Sequence, residues 1–264
     1  MINTTESKKR IYYIREYRHF APNGKETALF LLTCVVPIAL IMLIAFPLIS
    51  HWICNWAGSI LSQALDVEVG TQVHELFPHF KPVESLVMDG HNPSRTQVLA
   101  VIIVSLVLII ISWQVDANLR SVFIYLCMAL YVLLASCLFF LFWPERFPYT
   151  LSQFSSLYML QQASLCVILP TLLGIALSLI PTAFCLKYLA VIVCSLLDIL
   201  VCGLRYVFYL YVLARFSYLY MASRYFSLGV LFDFIRMVLI FSFVAKRVSE
   251  TMQKPEWRGK WGWV

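Results

Sequence analysis

Ionisable residues inside apolar runs are the side chains of this sequence best suited to chemistry. Asp198 lies within one such run, and Asp233 and Arg236 lie within the last one. A charge at the centre of a bilayer is costly unless it is paired or hydrated, so such residues mark candidate sites. Asp233 and Arg236 are three positions apart and would share one face of a helix, where they can pair with each other. We expect this pair to be a structural ion pair.

Arginines and tyrosines are concentrated in the segment 205–225, just after Asp198. Guanidinium groups match the oxygens of phosphates and carboxylates. A cluster of them could therefore bind a lipid-linked or anionic group at the outer face, with Asp198 or Asp233 as acid or base. Alternatively, these arginines and tyrosines anchor the chain at the membrane interface, which is the interpretation we favour. The candidate binding residues are Asp198, Arg205, Arg215, Arg224, Asp233 and Arg236.

A second concentration of polar residues lies between residues 50 and 96. It contains five acids and four of the five histidines, His51, His74, His79 and His91. Histidine and carboxylate side chains can bind divalent metals, but neither HExxH nor another fixed ligand spacing occurs. We therefore expect an ordinary solvated loop, with no metal and no cofactor.

Motifs of known chemistry are missing from the sequence. The eight cysteines form no CxxC, so neither a zinc knuckle nor a thioredoxin-type motif is indicated. GxSxG, Walker A and GxGxxG sequences do not occur. Whether the chain is an enzyme stays open, with the balance against it. The end of the chain carries a further candidate group for membrane anchoring or for docking a partner: Trp257, Arg258, Trp261 and Trp263.

The composition is that of a membrane protein. Hydrophobic residues make up 61% of the chain and charged residues only 13%, against roughly 25% charged residues in soluble domains. A bilayer core of about 30 Å is crossed by roughly 20 helical residues, and several apolar runs approach or exceed this length. We therefore predict an all-α polytopic integral membrane protein of about six transmembrane helices, over 27–49, 97–113, 121–143, 158–180, 188–204 and 226–245.

Two segments complicate this topology. Residues 52–69, at the start of the outer loop 50–96, have apolar residues at helical spacing and predict an amphipathic helix at the interface. The Pro- and Gly-containing remainder of that loop is expected to be irregular. Segment 205–225 is either a second interfacial or re-entrant helix, or a seventh span.

The charged tails favour six spans over seven. The tails 1–26 and 246–264 are both basic, and cytoplasmic flanks of membrane proteins are rich in Lys and Arg. Two cytoplasmic tails demand an even number of spans. The sequence thus predicts one transmembrane domain, 27–245, between two cytoplasmic tails, and the bacterial cytoplasmic membrane is the location we favour.

Two functions from different classes fit these features. The first is a non-catalytic subunit, permease-like or scaffolding, of a membrane-embedded transport, secretion or assembly complex, with the lipid bilayer and other proteins as partners. The second is a membrane enzyme that acts on a lipid-linked or anionic substrate at the outer face. Nucleic-acid binding is not expected, because the sequence has no folded basic domain.

Overall fold

The computed structural model of the protein describes residues 24–74, 82–114, 120–180 and 182–252. This part of the chain is almost entirely helical, with one two-stranded antiparallel hairpin. The elements, in chain order, are α1 (Gly24–Leu65), β1 (Gly70–His74), β2 (Val83–Val87), α2 (Arg95–Ser112), α3 (Arg120–Phe142), α4 (Leu151–Ser178), α5 (Phe184–Arg215), α6 (Met221–Leu228) and α7 (Val230–Met252).

Six helical stretches are long and apolar enough to cross a membrane. Five of them are α1, α2, α3 (from Val122), α4 and α5, and the sixth is Tyr218–Glu250, which includes α6 and most of α7. The expected helical class and the expected number of apolar helices are therefore confirmed. The tail residues Trp257, Arg258, Trp261 and Trp263 lie outside the described residues.

The first span continues without interruption into the helix that the sequence predicts at the interface. α1 has 42 residues and is about 63 Å long, roughly twice the thickness of a bilayer core. The predicted separate helix over 52–69 is instead the second half of α1, and it ends at Leu65. Pro37 lies in α1 and has no backbone N–H to donate to the helix. A π-helical turn, Leu31–Val35, lies just before it.

The loop after α1 contains the hairpin β1–β2, where the sequence predicted irregular chain. β2 is largely buried and packs against α1 and α4. Its backbone donors that face the helices find side-chain acceptors: Glu84 N donates to Ser50 Oγ (3.3 Å) and Leu86 N donates to the Tyr206 hydroxyl (2.8 Å). The hairpin is thus held against the helices by β2, while β1 is mostly exposed.

Several helices begin or end well away from the bounds expected from the sequence: α1, α4, α5 and the sixth helical stretch, which starts at Tyr218 rather than at 226. α4 starts at Leu151 because Thr150 and Gln153 form a capping box, in which each side chain accepts a hydrogen bond from the other residue's backbone N–H. α5 extends to Arg215, so that Arg205 and Arg215 belong to the fifth span. The rest of segment 205–225 forms a 3-10 turn, Tyr218–Tyr220, and the start of α6.

The helices are arranged as a core and a peripheral pair. α4 and α5 form the centre of the core, with α1 and α7 packed on both of them. α2 and α3 pack on each other, and α3 is joined to the rest of the molecule mainly through α6 and the turn Tyr218–Tyr220. α3 and α4 follow one another in the chain but make few direct contacts.

Candidate functional site: a buried ion network at the break in the sixth span

Four ionisable residues from two core helices meet in one buried network. α5 supplies Asp198 and Arg205, and α7 supplies Asp233 and Arg236. Contacts run from Arg205 to Asp233, from Asp233 to Arg236 and from Arg236 to Asp198. Because two carboxylates face two guanidinium groups, the network carries no net formal charge.

Arg205 is the most completely engaged member of this network. Its Nη2 donates to Asp233 Oδ2 (2.9 Å) and its Nε donates to the Tyr158 hydroxyl (2.9 Å). Its Nη1 donates to the carbonyl oxygens of Leu228 and, at 3.4 Å, of Gly229. Every nitrogen of the guanidinium group therefore has a partner, and the residue is only 5% exposed.

Arg236 joins the two carboxylates. Its Nη2 lies 3.2 Å from Asp233 Oδ1 and also contacts Asp198 Oδ1, while its Nη1 donates to the Leu197 carbonyl (3.1 Å). Asp198 also accepts a long contact from Cys194 Sγ (3.8 Å). The Nε of Arg236 is buried without a hydrogen-bond partner among the described residues. Asp198 and Asp233 are almost fully buried.

The network lies where the sixth span is broken. α6 ends at Leu228 and α7 begins at Val230, so the backbone helix is interrupted at Gly229. A side chain at this position would clash, because a Cβ on Gly229 would lie 2.0 Å from the Tyr225 carbonyl oxygen. The last carbonyls of a helix lack intrahelical donors, and in a membrane they must be satisfied within the protein.

Neighbouring helices supply the donors that the end of α6 needs. The Tyr209 hydroxyl donates to the Arg224 carbonyl (2.9 Å), and the Tyr125 hydroxyl donates to the Ser227 carbonyl. Arg205 donates hydrogen bonds to the carbonyl oxygens of Leu228 and Gly229. At the other side of the break, Asp233 lies in the first turn of α7, where a negative charge is favoured by the helix dipole. The network and the broken span therefore stabilise each other.

Two of the predicted arginines lie away from the network. Arg215 is exposed at the last residue of α5. Arg224 is half-buried on α6, with its guanidinium carbon 4.7 Å from the centre of the Phe208 ring. The sequence grouped all six residues, but the structure joins only Asp198, Arg205, Asp233 and Arg236.

Among the described residues of the predicted loop 50–96, His51 of α1 and Glu84 of β2 form a pair. His51 Nδ1 lies 2.9 Å from the Glu84 carboxylate, and Asn55 Nδ2 lies 3.0 Å from His51 Nε2. Over 24–74, 82–114, 120–180 and 182–252, no group of three or more His, Cys, Asp or Glu side chains could hold a metal ion. His79 lies outside these ranges.

The tyrosines that complete the site were not predicted from the sequence. Tyr158 is fully buried in α4, accepts from Arg205 and donates to the Cys202 carbonyl (3.2 Å). Tyr209 and Tyr125 bind the end of α6. No sequence signal marked them, because Tyr158 begins the predicted span 158–180 and Tyr125 lies near the start of 121–143, where tyrosine usually marks the membrane interface.

The arrangement can fasten helices, and it leaves little room for chemistry. The donors of the network bind its own acceptors, the Tyr158 hydroxyl or backbone carbonyls. Among the described atoms of the network, the Arg236 Nε–H is the exception. It connects α4, α5, α6 and α7 through four side chains and Tyr158. Comparison with known proteins gives no match to the chain, neither among protein-family models, nor among curated proteins, nor among solved structures.

Proposed function

We propose that this chain is a non-catalytic, multi-spanning subunit, permease-like or scaffolding, of a membrane-embedded transport, secretion or assembly complex. The observation that carries the proposal is the mutual neutralisation of the ionisable residues inside the spans. Arg205 and Asp233 are 5% and 1% exposed and bind each other at 2.9 Å. They hold the broken sixth span against α5, which is a structural task.

The same contacts argue against an active site in the network. A general acid or base must reach the proton that it transfers in a plausible substrate pose. Asp198 and Asp233 are instead buried and engaged by arginines. An anion at Arg205 would have to displace a carboxylate, a hydroxyl and two carbonyl oxygens.

The peripheral helix pair supports a role in an assembly. Only 17% of the most apolar window of α2, and the same share of α3, is buried inside the protein, against 50% for α4. These two helices therefore turn most of their apolar surface outward, where it meets lipid or the helices of partner proteins. We infer that protein partners pack on this surface.

The location that fits best is the cytoplasmic membrane of a bacterium, with both tails in the cytoplasm. Both tails are basic, and such flanks resist translocation. Six crossings return the chain to the side on which it started, in agreement with two tails of the same charge.

The alternative is a membrane enzyme for a lipid-linked or anionic substrate at the outer face. One observation favours it: Arg215 is exposed at the end of α5 and has no ion pair in the part of the chain that the structure describes. A free guanidinium at a membrane surface can bind a phosphate oxygen. This residue does not contact the acids of the network.

A neutral double replacement separates the structural role from the catalytic one. Arg205→Met or Asp233→Leu alone leaves an uncompensated buried charge, at a cost of about 3–5 kcal/mol. The double variant removes both charges and keeps the Asp198–Arg236 pair. We expect each single variant to accumulate poorly in the membrane. The double variant should recover most of its membrane level and its ability to complement loss of the gene, although the Leu228 and Gly229 carbonyls still lack their Arg205 donor.

The enzyme alternative predicts a different outcome. If the double variant accumulates normally but fails to complement, the charges themselves perform the function and the proposal is wrong. Purification of the wild-type protein in mild detergent gives the second arm. Partner proteins in fixed stoichiometry support a complex subunit, whereas a protein that purifies alone from gently solubilised membranes contradicts it. Arg215→Ala serves as the matched surface variant, and it should leave complementation unchanged.

A further inference from the structure

We propose that a cavity between α3, α4 and α6 binds one hydrocarbon chain of a membrane lipid. The cavity has a volume of about 690 Å³, within the range of roughly 300–1,000 Å³ that is typical of small-molecule sites. Its walls come from the middle and end of α3, the first half of α4, and α6. The inference requires that the chain spans a bilayer, but it does not require that the chain is a complex subunit.

An aromatic residue of the α3–α4 loop forms a wedge at the cavity. Phe147 is inserted between the end of α3 and the turn before α6, with its ring centre 4.9 Å from Phe140 and 5.7 Å from Tyr218. This wedge closes the end of the cleft nearest the loop. Below it, α3 and α4 make few contacts, and the space between them stays open.

The lining is mostly apolar, and three of its polar side chains are already engaged. The Tyr225 hydroxyl donates to Gln161 Oε1 (2.5 Å), and Ser136 Oγ donates to the Val132 carbonyl (3.1 Å). The Tyr158 hydroxyl on the inner wall binds Arg205 and the Cys202 carbonyl. Water is held in cavities by two to four polar partners, and these engaged groups supply few of them. A hydrocarbon ligand would leave none of these hydrogen bonds unmade.

The side of the cavity is open along the spans, which identifies the source of the ligand. Two lining residues at its rim, Leu157 and Tyr225, are 53% and 42% exposed. Leu157 belongs to α4 and Tyr225 to the sixth helical stretch, both long and apolar enough to cross a membrane, so in the proposed topology this rim faces the bilayer. A lipid chain can enter sideways, without leaving the membrane.

The volume favours a lipid chain over a transmembrane helix as the occupant. A helix about 10 Å wide and 30 Å long fills roughly 2,400 Å³, well above the range of roughly 300–1,000 Å³ that is typical of ligand cavities. The cavity therefore fits a chain and not a partner's span. Its inner wall includes Tyr158, so a bound chain would pack directly against a residue that holds Arg205.

Photolabelling of the reconstituted protein tests this site. The full chain is placed in phosphatidylcholine vesicles that contain a phosphatidylcholine with a diazirine on one acyl chain, and the labelled residues are mapped by mass spectrometry. We expect label on the cavity walls, at Ala135, Ser136 and Ala222. Label at Ile103, an exposed residue of α2 outside the cavity, reports contact with bulk lipid in the same sample.

Filling the cavity distinguishes bound lipid from bulk lipid. Ala135→Trp places a large ring in the cavity, and Leu138→Trp places the same ring on α3 outside the lining. We expect Ala135→Trp to lower the label at Ala222 about tenfold relative to Ile103, corresponding to the loss of roughly 1.4 kcal/mol of affinity. Leu138→Trp should leave that ratio unchanged. If Ala135→Trp does not fold, Ala222→Trp fills the cavity from α6, with label read at Ser136.

Two outcomes would overturn the proposal. One is an unlabelled cavity in the wild-type protein while Ile103 is labelled. The other is a ratio of cavity label to Ile103 label that stays the same in Ala135→Trp as in the control Leu138→Trp. That result is expected for lipid that only surrounds the protein. Because these measurements use the purified chain alone, failure of the subunit proposal would not change their result.

Discussion

At the scale of single residues, the hydroxyl of Tyr158 connects the ion network to α4. It accepts a hydrogen bond from Arg205 Nε and donates one to the Cys202 carbonyl, and the residue is fully buried. Its ring also stacks on Tyr206 with centres 5.5 Å apart. The hydroxyl orients the guanidinium group, whereas the ring fills the core.

Replacing Tyr158 with Phe should separate these two contributions. The variant keeps the ring and leaves the buried Nε–H of Arg205 without an acceptor, which costs about 1–3 kcal/mol. We expect a lower midpoint of thermal unfolding for the purified protein in detergent. Tyr131→Phe removes a hydroxyl from a half-exposed tyrosine of α3 and should leave the midpoint unchanged. Equal shifts in the two variants would show that the Arg205 contact contributes nothing.

The members of the ion network could be predicted from the sequence, but only one of their three contacts, between Asp233 and Arg236, could be. Asp198, Asp233 and Arg236 stood out because they lie inside apolar runs, where charges are rare. Sequence spacing finds neighbours on one helix, such as Asp233 and Arg236. The contacts of Arg205 with Asp233 and of Arg236 with Asp198 join two helices, and they depend on how α5 and α7 are rotated against each other.

At the scale of the elements, α1 and α4 approach each other closely at the π-helical turn of α1. Gly174 of α4 faces Val35, and a Cβ on Gly174 would lie 2.4 Å from Val35 Cγ2. Both positions belong to or border a buried cluster that includes Phe30, Leu173 and Leu177. Glycine is needed here for space, since its own backbone angles are not of the left-handed kind.

A compensating pair of substitutions should reveal this contact. Gly174→Ala forces the two helices apart and should destabilise the protein by about 1–3 kcal/mol, the usual cost of overpacking. Because the clashing atom is a side-chain methyl, adding Val35→Ala should recover part of this loss. Unfolding of the single and double variants in detergent measures the effect.

The matched control for this pair is Gly58→Ala in α1. Its new Cβ would make only an ordinary contact, 3.7 Å from Leu86 Cδ2, so its stability should equal or exceed that of the wild type. A Gly174→Ala variant as stable as Gly58→Ala would contradict the close approach of α1 and α4. The close approach would also be contradicted if the double variant lost more stability than the two single variants lose when their losses are added.

Some element boundaries were present in the sequence as capping signals. Thr150 and Gln153 have the spacing of a capping box, which sets the start of α4 at Leu151, seven residues before the predicted start at 158. The continuity of α1 had no such signal: its apolar pattern only weakens after residue 50, and nothing breaks the helix before Asp66, which adopts the left-handed conformation at its end. The hairpin β1–β2 depends on contacts with α1, α4 and Tyr206, which are distant in sequence.

At the scale of the whole molecule, hydropathy predicted the number of spans but not their arrangement. The windows of α2 and α3 are uniformly apolar, so nothing in them shows which face meets the core. Their peripheral position follows from the wedge of Phe147 and from the contacts of α3 with α6. The ambiguity over 205–225 disappears once α5 extends to Arg215 and α6 is part of the sixth helical stretch.

This arrangement makes a direct prediction about topology. If α6 and α7 together form one broken crossing, the two ends of the chain lie on the same side of the membrane, and the loop with β1–β2 lies on the other. Fusions of a fluorescent protein that matures only in the cytoplasm, placed at each end, should both fluoresce in bacterial cells. A fusion inserted after Gly70, in the hairpin, should be dark at equal expression. Fluorescence at one end only would mean an odd number of crossings, with segment 205–225 as a span of its own. That topology would place Arg205 and Asp233 on opposite sides of the membrane, and it would contradict their contact at 2.9 Å.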